Sequence, residues 1–260
     1  QKVGIEWIYK SCYDKDCRSS PTSFHGVGID EGLKILSDVR DEFGLPVVSD
    51  FSDSTWGAST GEVCDLVQVP AYLCRQTSIL RAAAKTGKPV LLKKGQFMSP
   101  WNMKNSVRKI EAAGGTQILL ADRGTFFGYN MLVNDMRSFS IMAQTGYPVC
   151  YDITHSIQMP TSMGEISGGE REFIPPLTRA AAAAGILYST SYCCRAISKS
   201  LCFLQYIFIG QGPVYIFKTM LHIAPIVFLL YIATTTTVCA APCVPEDGKT
   251  SLVIGQDLYA

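Results

Sequence analysis

From Glu6 to about Ile186 the chain alternates short apolar runs with stretches whose apolar residues recur at helical spacing. The apolar runs predict strands at WIYKS (7–11), PVVSDF (46–51), DLVQVPA (65–71), PVLLKK (89–94), QILLAD (117–122) and PVCYDITH (148–155). Between them, DEGLKILSDVRDEF (30–43), TSILRAAAKTG (77–87), PWNMKNSVRKIEAAGG (100–115), NDMRSFSIMAQTG (134–146) and EREFIPPLTRAAAAAG (170–185) predict helices, several closing on a glycine suited to a left-handed cap. Six strands alternating with helices fit an open doubly wound α/β sheet or a (β/α)8 barrel with units missing.

The polar residues separate these two. Lys10 to Arg18, Asp50, Gln68, Lys93, Lys94, Asp122, Arg123, Asp152 and His155 all fall where predicted strands end. A barrel brings every strand C-terminus to one mouth, whereas a flat sheet spreads them out. The expected fold is therefore an α/β chain forming an incomplete (β/α)8 TIM-type barrel, with its first and last strands missing or replaced. It divides into a partial catalytic barrel over 1–186 and an unrelated apolar, Cys-containing tail over 187–260.

After Ile186 the βα rhythm is lost, and between Lys218 and Pro242 no residue is charged. Three readings of this tail stand side by side: a membrane span within 219–241, a buried or poorly ordered segment, and a translated non-native sequence. Pro225, His222 and a run of four Thr weaken the span.

The 260 residues carry a formal net charge of +1, so no global field points to nucleic acid or an anionic membrane, and anions must be held by local cations. Ten Cys without CxxC spacing predict neither a zinc site nor a disulfide framework, but reduced thiols in a cytoplasmic protein. The opening QKVGIEWIYK lacks the order of a secretory signal.

Four strand-end segments carry candidate chemistry. YKSCYDKDCRSS (9–20) sets Lys10, Lys15 and Arg18 beside Ser19 and Ser20, a composition suited to phosphate esters or to a solvated basic turn. In LLKKGQF (91–97) side-chain alternation turns one lysine into the barrel, where it needs an anion partner, and leaves at least one of the pair as an ordinary exposed lysine. Arg123, followed by Gly124, fits a bidentate phosphate ligand or a rim pair with Asp122. YDITHSIQ (151–158) offers Asp152, His155 and Gln158, with a proton-transferring or metal-binding histidine set against a structural one.

In order, YKSCYDKDCRSS, GVGIDEGLKIL, VQVPAYLCRQT, LLKKGQFMSP, DRGTFFGYNMLVNDM, YDITHSIQ and SGGEREFIP resemble the 3-deoxy-octulosonate 8-phosphate synthase family over residues 1–186. RSSPTSFHGVG is partly similar to the related 3-deoxy-heptulosonate 7-phosphate synthases. The resemblance implies a cytoplasmic homotetrameric transferase of lipopolysaccharide and cell-wall sugar biosynthesis, condensing phosphoenolpyruvate with arabinose 5-phosphate. By position it implies that Lys10, Gln68, Ala71, Lys94 and Arg123 hold phosphoenolpyruvate, and that Lys15, Asp50 and Gln158 hold the sugar. Arg18 and Ser19 would reach the sugar phosphate across a subunit interface. His155, Lys94 and Asp50 are the implied catalytic set, with His155 also a metal ligand in the metal-dependent branch. The one cofactor the resemblance implies is a divalent metal, and only in the metal-dependent branch; which branch this is stays undecidable, because the strand whose Cys or Asn separates the two is not among these residues.

Departures from the family pattern keep a second reading open. Cys12 replaces a Ser, Cys17 an Asn and Ser52 a His, and the acidic loop after the last strand is not recognisable. The alternatives are a catalytically inactive barrel that still binds phosphorylated ligands or subunits, a tail-anchored form, and heptulosonate 7-phosphate synthase activity.

Overall fold

The computed structural model describes residues 6–163, 166–186, 188–193 and 204–209. Its centre is a ring of strands. β1 (Glu6–Lys10), β2 (Val47–Asp50), β3 (Leu66–Val69), β4 (Val90–Lys93) and β5 (Ile118–Asp122) pair in parallel order. A hairpin of β6 (Thr125–Phe127) and β7 (Met131–Val133) then precedes β8 (Val149–Asp152), which returns beside β5. A second hairpin, β9 (Gln158–Met163) and β10 (Ile166–Gly169), follows β8.

The helices are α1 (Ile29–Phe43), α2 (Gly57–Val63), α3 (Thr77–Lys85), α4 (Met103–Glu111), α5 (Arg137–Ala143), the single turn α6 (Ile153–Ser156) and α7 (Ile174–Ala183). Six βα units thus make the expected incomplete barrel. All six predicted strands and all five predicted helices are present, but the strand expected over 148–155 stops at Asp152 and its end turns into α6, so that α2, α6 and both hairpins are additional. α2, GASTGEV, buries Gly57, Thr60 and Gly61 and has no apolar stripe to read.

The seam falls in the tail. β11 (Tyr188–Cys193) runs parallel to β8, and β12 (Leu204–Ile209) lies antiparallel to both β11 and β1, closing an eight-stranded ring. Seven strands are parallel and the eighth, β12, is reversed, so the closing strand replaces the parallel strand of a regular (β/α)8 barrel. The apolar stretch 219–241 lies outside the described residues.

Alternation along each strand divides the interior in two. Val67, Val69, Val90, Leu92, Ile118, Leu120, Val149 and Tyr151 pack with the helices, meeting Leu33 and Leu36 of α1, Ile79, Leu80 and Ala83 of α3, and Met103, Val107 and Ile110 of α4. These helical residues recur at three- and four-residue steps, which is why the helices lie along the strands with their polar faces outward. The opposite parity, Ile8, Val48, Leu66, Leu91, Leu119 and Cys150, is equally buried and fills the lumen. α1 stops at Gly44, which takes the left-handed conformation at φ 62° while its N–H still donates to Arg40 O, turning the chain toward β2.

Candidate active site at the mouth of the barrel

Register carries the lumen parity to the strand ends. Lys10 is level with Val48, Asp50 with Gln68, Gln68 with Leu91, Lys93 with Ala121 and Ala121 with Cys150. Lys10, Asp50, Gln68, Lys93, Arg123 and Asp152 therefore share the face of Ile8, Val48, Leu91, Leu119 and Cys150, and rise together at one end of the lumen.

Two acid–base clusters stand there. In the first, Lys10 Nζ lies 3.3 Å from Asp50 Oδ1, Gln68 Nε2 donates to Asp50 Oδ2 at 3.1 Å, and Lys10 Nζ meets Cys12 Sγ at 3.0 Å. Burial pushes the Asp50 carboxyl up, but Lys10, Cys12 and Lys15 outweigh it and hold it at about 2. Gln68 Oε1 is buried with no hydrogen-bond partner, an acceptor facing the site that a bound group can satisfy.

In the second cluster Lys93 Nζ forms a buried ion pair with Asp152, and Asp152 Oδ2 is also 2.6 Å from His155 Nδ1. Asp152 caps α6 as well, accepting the His155 backbone N–H through Oδ1 at 3.2 Å, so one carboxylate fixes both the ring and the turn that bears it. Burial drives His155 down; Asp152 opposes this, Lys93 and Arg123 add to it, and the imidazole is held neutral at about 3. Burial likewise lowers Lys93, against the pull of Asp152. Arg123, 5% exposed, donates to Gln158 Oε1 at 2.7 Å. Among the described residues of this lumen end the cations Lys10, Lys93 and Arg123 outnumber the carboxylates Asp50 and Asp152, which favours an anionic ligand.

The adjacent lysine is placed differently from the sequence expectation. Both lysines of LLKKGQF are buried, Lys93 at 3% and Lys94 at 0%, so neither is an exposed loop residue. Lys94 belongs to the outward parity. Its Nζ donates to Gly124 O at 3.2 Å and Thr125 Oγ1 at 3.0 Å and pairs with Asp122 at 3.3 Å. Asp122 also accepts from Ser138 and from the Gly124 N–H, so its described partners make it a strap behind the strand ends rather than a rim partner of Arg123. Gly124 sits at φ 91°, and a Cβ there would meet Leu132 Cβ at 3.3 Å; glycine lets the chain turn sharply after Arg123.

The remaining expected residues flank these clusters. Ala71 is buried in a single 3-10 turn after β3, and Gln158 is half-buried at the start of β9. Lys15 and Arg18 are half-buried and Ser19 exposed in the long loop after β1, where the Lys15 N–H donates to His25 O at 2.6 Å. Ser52 hydrogen-bonds Asp14 at the next loop. Lys93 and Asp152 were legible in sequence as strand-end charges but not as the central pair; the signal was the parity they share with Leu91 and Cys150. Among the described residues no group of three or more His, Cys, Asp and Glu is arranged to hold a metal ion, and His155 Nδ1 is engaged by Asp152. The described donor set does not fit a metal centre, and no step below passes through one.

A barrel whose strand ends gather cations, two carboxylates and a neutral histidine is the frame of an enzyme acting on anionic small molecules. Residues 1–189 match the DAHP synthetase I family, and the chain belongs to that family. Among curated relatives it is similar to the 2-dehydro-3-deoxyphosphooctonate aldolase of Protochlamydia amoebophila, at 52% identity over 71% of this chain and 67% of that protein. Its similarity to the enzymes of the same name from Acidithiobacillus ferrooxidans and Trichlorobacter lovleyi is 54% and 53%, over 71% of this chain and 66% and 68% of theirs. The chain spans about two thirds of the length of the curated relatives it matches.

Proposed function

We propose that the chain is a transferase that joins phosphoenolpyruvate to arabinose 5-phosphate, giving 3-deoxy-octulosonate 8-phosphate and inorganic phosphate. The observation that carries this reading is the lumen-facing set Lys10, Gln68, Lys93 and Arg123, present in a chain more than half identical, over the matched residues, to enzymes named for that product. Lys93 takes the place that the resemblance gave to Lys94, because it is the lysine on the lumen face. Arg123 supplies a planar fork and Lys10 and Lys93 point charges for the phosphate and carboxylate of phosphoenolpyruvate. Asp50, Lys15 and Gln158 receive the sugar, and Arg18 and Ser19 its phosphate, at an interface between subunits of a homotetramer.

The chemistry needs no nucleophile from the protein. C3 of phosphoenolpyruvate attacks the sugar aldehyde, positive charge develops at C2, water adds there, and phosphate leaves with cleavage of its C–O bond. Holding both substrates in one frame removes most of the entropic cost of their meeting, and the fixed cations accommodate charge without reorganising. Neutral His155, its Nδ1 side bound to Asp152, presents its other ring edge for a proton of the adding water or of the aldehyde oxygen. The product is an eight-carbon acidic sugar for cell-wall polysaccharide, made in the cytoplasm.

The test supplies phosphoenolpyruvate with either arabinose 5-phosphate or erythrose 4-phosphate and follows phosphate release. Turnover with the five-carbon sugar is expected. Turnover with the four-carbon sugar alone would reassign the chain to heptulosonate synthesis, and binding of phosphoenolpyruvate without turnover would mark an inactive barrel.

A further inference from the structure

Residues 11–28 run from the end of β1 to the start of α1 with no helix or strand of their own, and they carry Lys15, Arg18 and Ser19. A connection this long keeps its shape through specific contacts. Backbone bonds fold it back on itself: the Lys15 N–H donates to His25 O at 2.6 Å and the Gly28 N–H to Tyr13 O at 3.1 Å. Gly26, at φ 125°, approaches so closely that an added Cβ would stand 2.1 Å from Tyr13 O. Two side chains then tie the doubled loop to the next unit. The Tyr13 hydroxyl lies 2.7 Å from Thr60 Oγ1 of α2, and Ser52 Oγ, just beyond β2, donates to Asp14 Oδ2 at 2.5 Å. Ser52 and Asp14 are both half-buried. Neither has a part in the chemistry above, and Ser52 stands where the resemblance implied a histidine.

We propose that Ser52 and Asp14 are positioning residues, whose hydrogen bond fixes the loop after β1 against the end of β2 and so sets the sugar half of the site. Lys15 follows Asp14 directly and Asp50 lies two residues before Ser52, so tying the inner pair fixes the spacing of the outer one. A hydroxyl donating to a carboxylate is a charge-assisted bond, shorter and stronger than one between neutral groups. Lys15 is also among the cations that hold the Asp50 carboxyl low, in keeping with the two standing near each other. Serine at this position loses the imidazole but keeps one donor, and the bond it makes gives the replacement a use. The phosphoenolpyruvate half does not lean on this bond. Lys10, Gln68 and Lys93 belong to strands of the ring and Arg123 directly follows β5, so their placement comes from strand pairing.

The kinetic consequence rests on the reading of Lys15 and Asp50 as sugar ligands; the positioning bond does not, so each has its own measurement. Hydrogen–deuterium exchange on the full chain, without substrate, reads the bond. Ser52→Ala should speed exchange across 11–28 about tenfold, the scale of one charge-assisted hydrogen bond, and leave the strands unchanged. Ser52→Thr keeps the hydroxyl and should return the loop to the parent rate. Phosphate release then reads the consequence: Ser52→Ala should raise the KM for arabinose 5-phosphate about tenfold, on the same scale, while calorimetry finds phosphoenolpyruvate affinity unchanged. Asp14→Ala should match it, and the double variant should be no worse than either single one, as expected of two partners in one bond. Parent-like exchange in Ser52→Ala would overturn the positioning bond. Faster exchange with an unchanged sugar KM would overturn its link to the sugar. A parent chain that turns over neither sugar would instead sink the reading of the site as a synthase, and exchange alone would then decide the bond.

Discussion

Lys93 and Lys94 are neighbours in the chain and both buried, yet alternation along β4 gives one to the lumen and the other to the strap that holds the strand ends. Lys93→Met should therefore weaken phosphoenolpyruvate binding, by about 2 kcal/mol or more, because it strips a cation from a desolvated anion site and leaves Asp152 unpaired. Lys94→Met should act mainly on stability, releasing Asp122 and the Gly124 turn. Calorimetry and urea unfolding on both variants separate the two effects. Arg123→Ala should cost about 2 to 4 kcal/mol of phosphoenolpyruvate binding, and Arg123→Lys should recover only part of that, since a point charge cannot reproduce a bidentate fork. The identity of the charged positions was legible in sequence because each closes an apolar run. Which of two adjacent lysines faces inward was not, because the choice depends on where the strand register begins.

His155 is held neutral at about 3, below the 6.5 of an ordinary histidine, so the unfolded chain binds a proton in this interval that the folded chain does not. Stability then rises with pH through that range and falls on acidification, by up to about 1.4 kcal/mol per pH unit from this group. Asp50, held at about 2, extends the loss at lower pH with the same sign. Urea midpoints at pH 7 and pH 5 check it, and His155→Gln should flatten the difference.

Helices and strands depend on how closely they approach. In α1, Gly32 faces Tyr13, and an added Cβ would stand 2.0 Å from the Tyr13 Cβ. Tyr13 is anchored in turn, its hydroxyl 2.7 Å from Thr60 Oγ1 of α2, and burial raises its pKa well above that of a free phenol. Gly32→Ala should thus displace Tyr13 and cost about 1 to 3 kcal/mol in unfolding free energy despite the better helix propensity of alanine, as read by urea denaturation. The long helices and their glycine stops were legible because their apolar residues repeat and their caps need a special backbone. α2 was not, since its buried positions are Gly57, Thr60 and Gly61. The β6–β7 hairpin was not either: its Phe126, Phe127, Met131 and Val133 are at least a third exposed, so no buried face imprints a period on it.

At the level of the whole molecule, the ring closes through strands drawn from a segment whose pattern announces no βα unit. β11 continues the parallel order beside β8, but β12 is antiparallel to both neighbours, a pairing set by long-range contact that no local period encodes. A chain ending at residue 187 would leave the edges of β1 and β8 unpaired and should aggregate, whereas one ending at residue 209 should stay dispersed; light scattering on the two checks this. The central claim is that one lumen end holds phosphoenolpyruvate and the five-carbon sugar together and releases phosphate by breaking the C–O bond. Phosphoenolpyruvate labelled with heavy oxygen at the bridging position tests it most directly. With arabinose 5-phosphate present, the account predicts inorganic phosphate that carries the label and appears in step with the eight-carbon product. Unlabelled phosphate, or release that ignores the sugar, would contradict it.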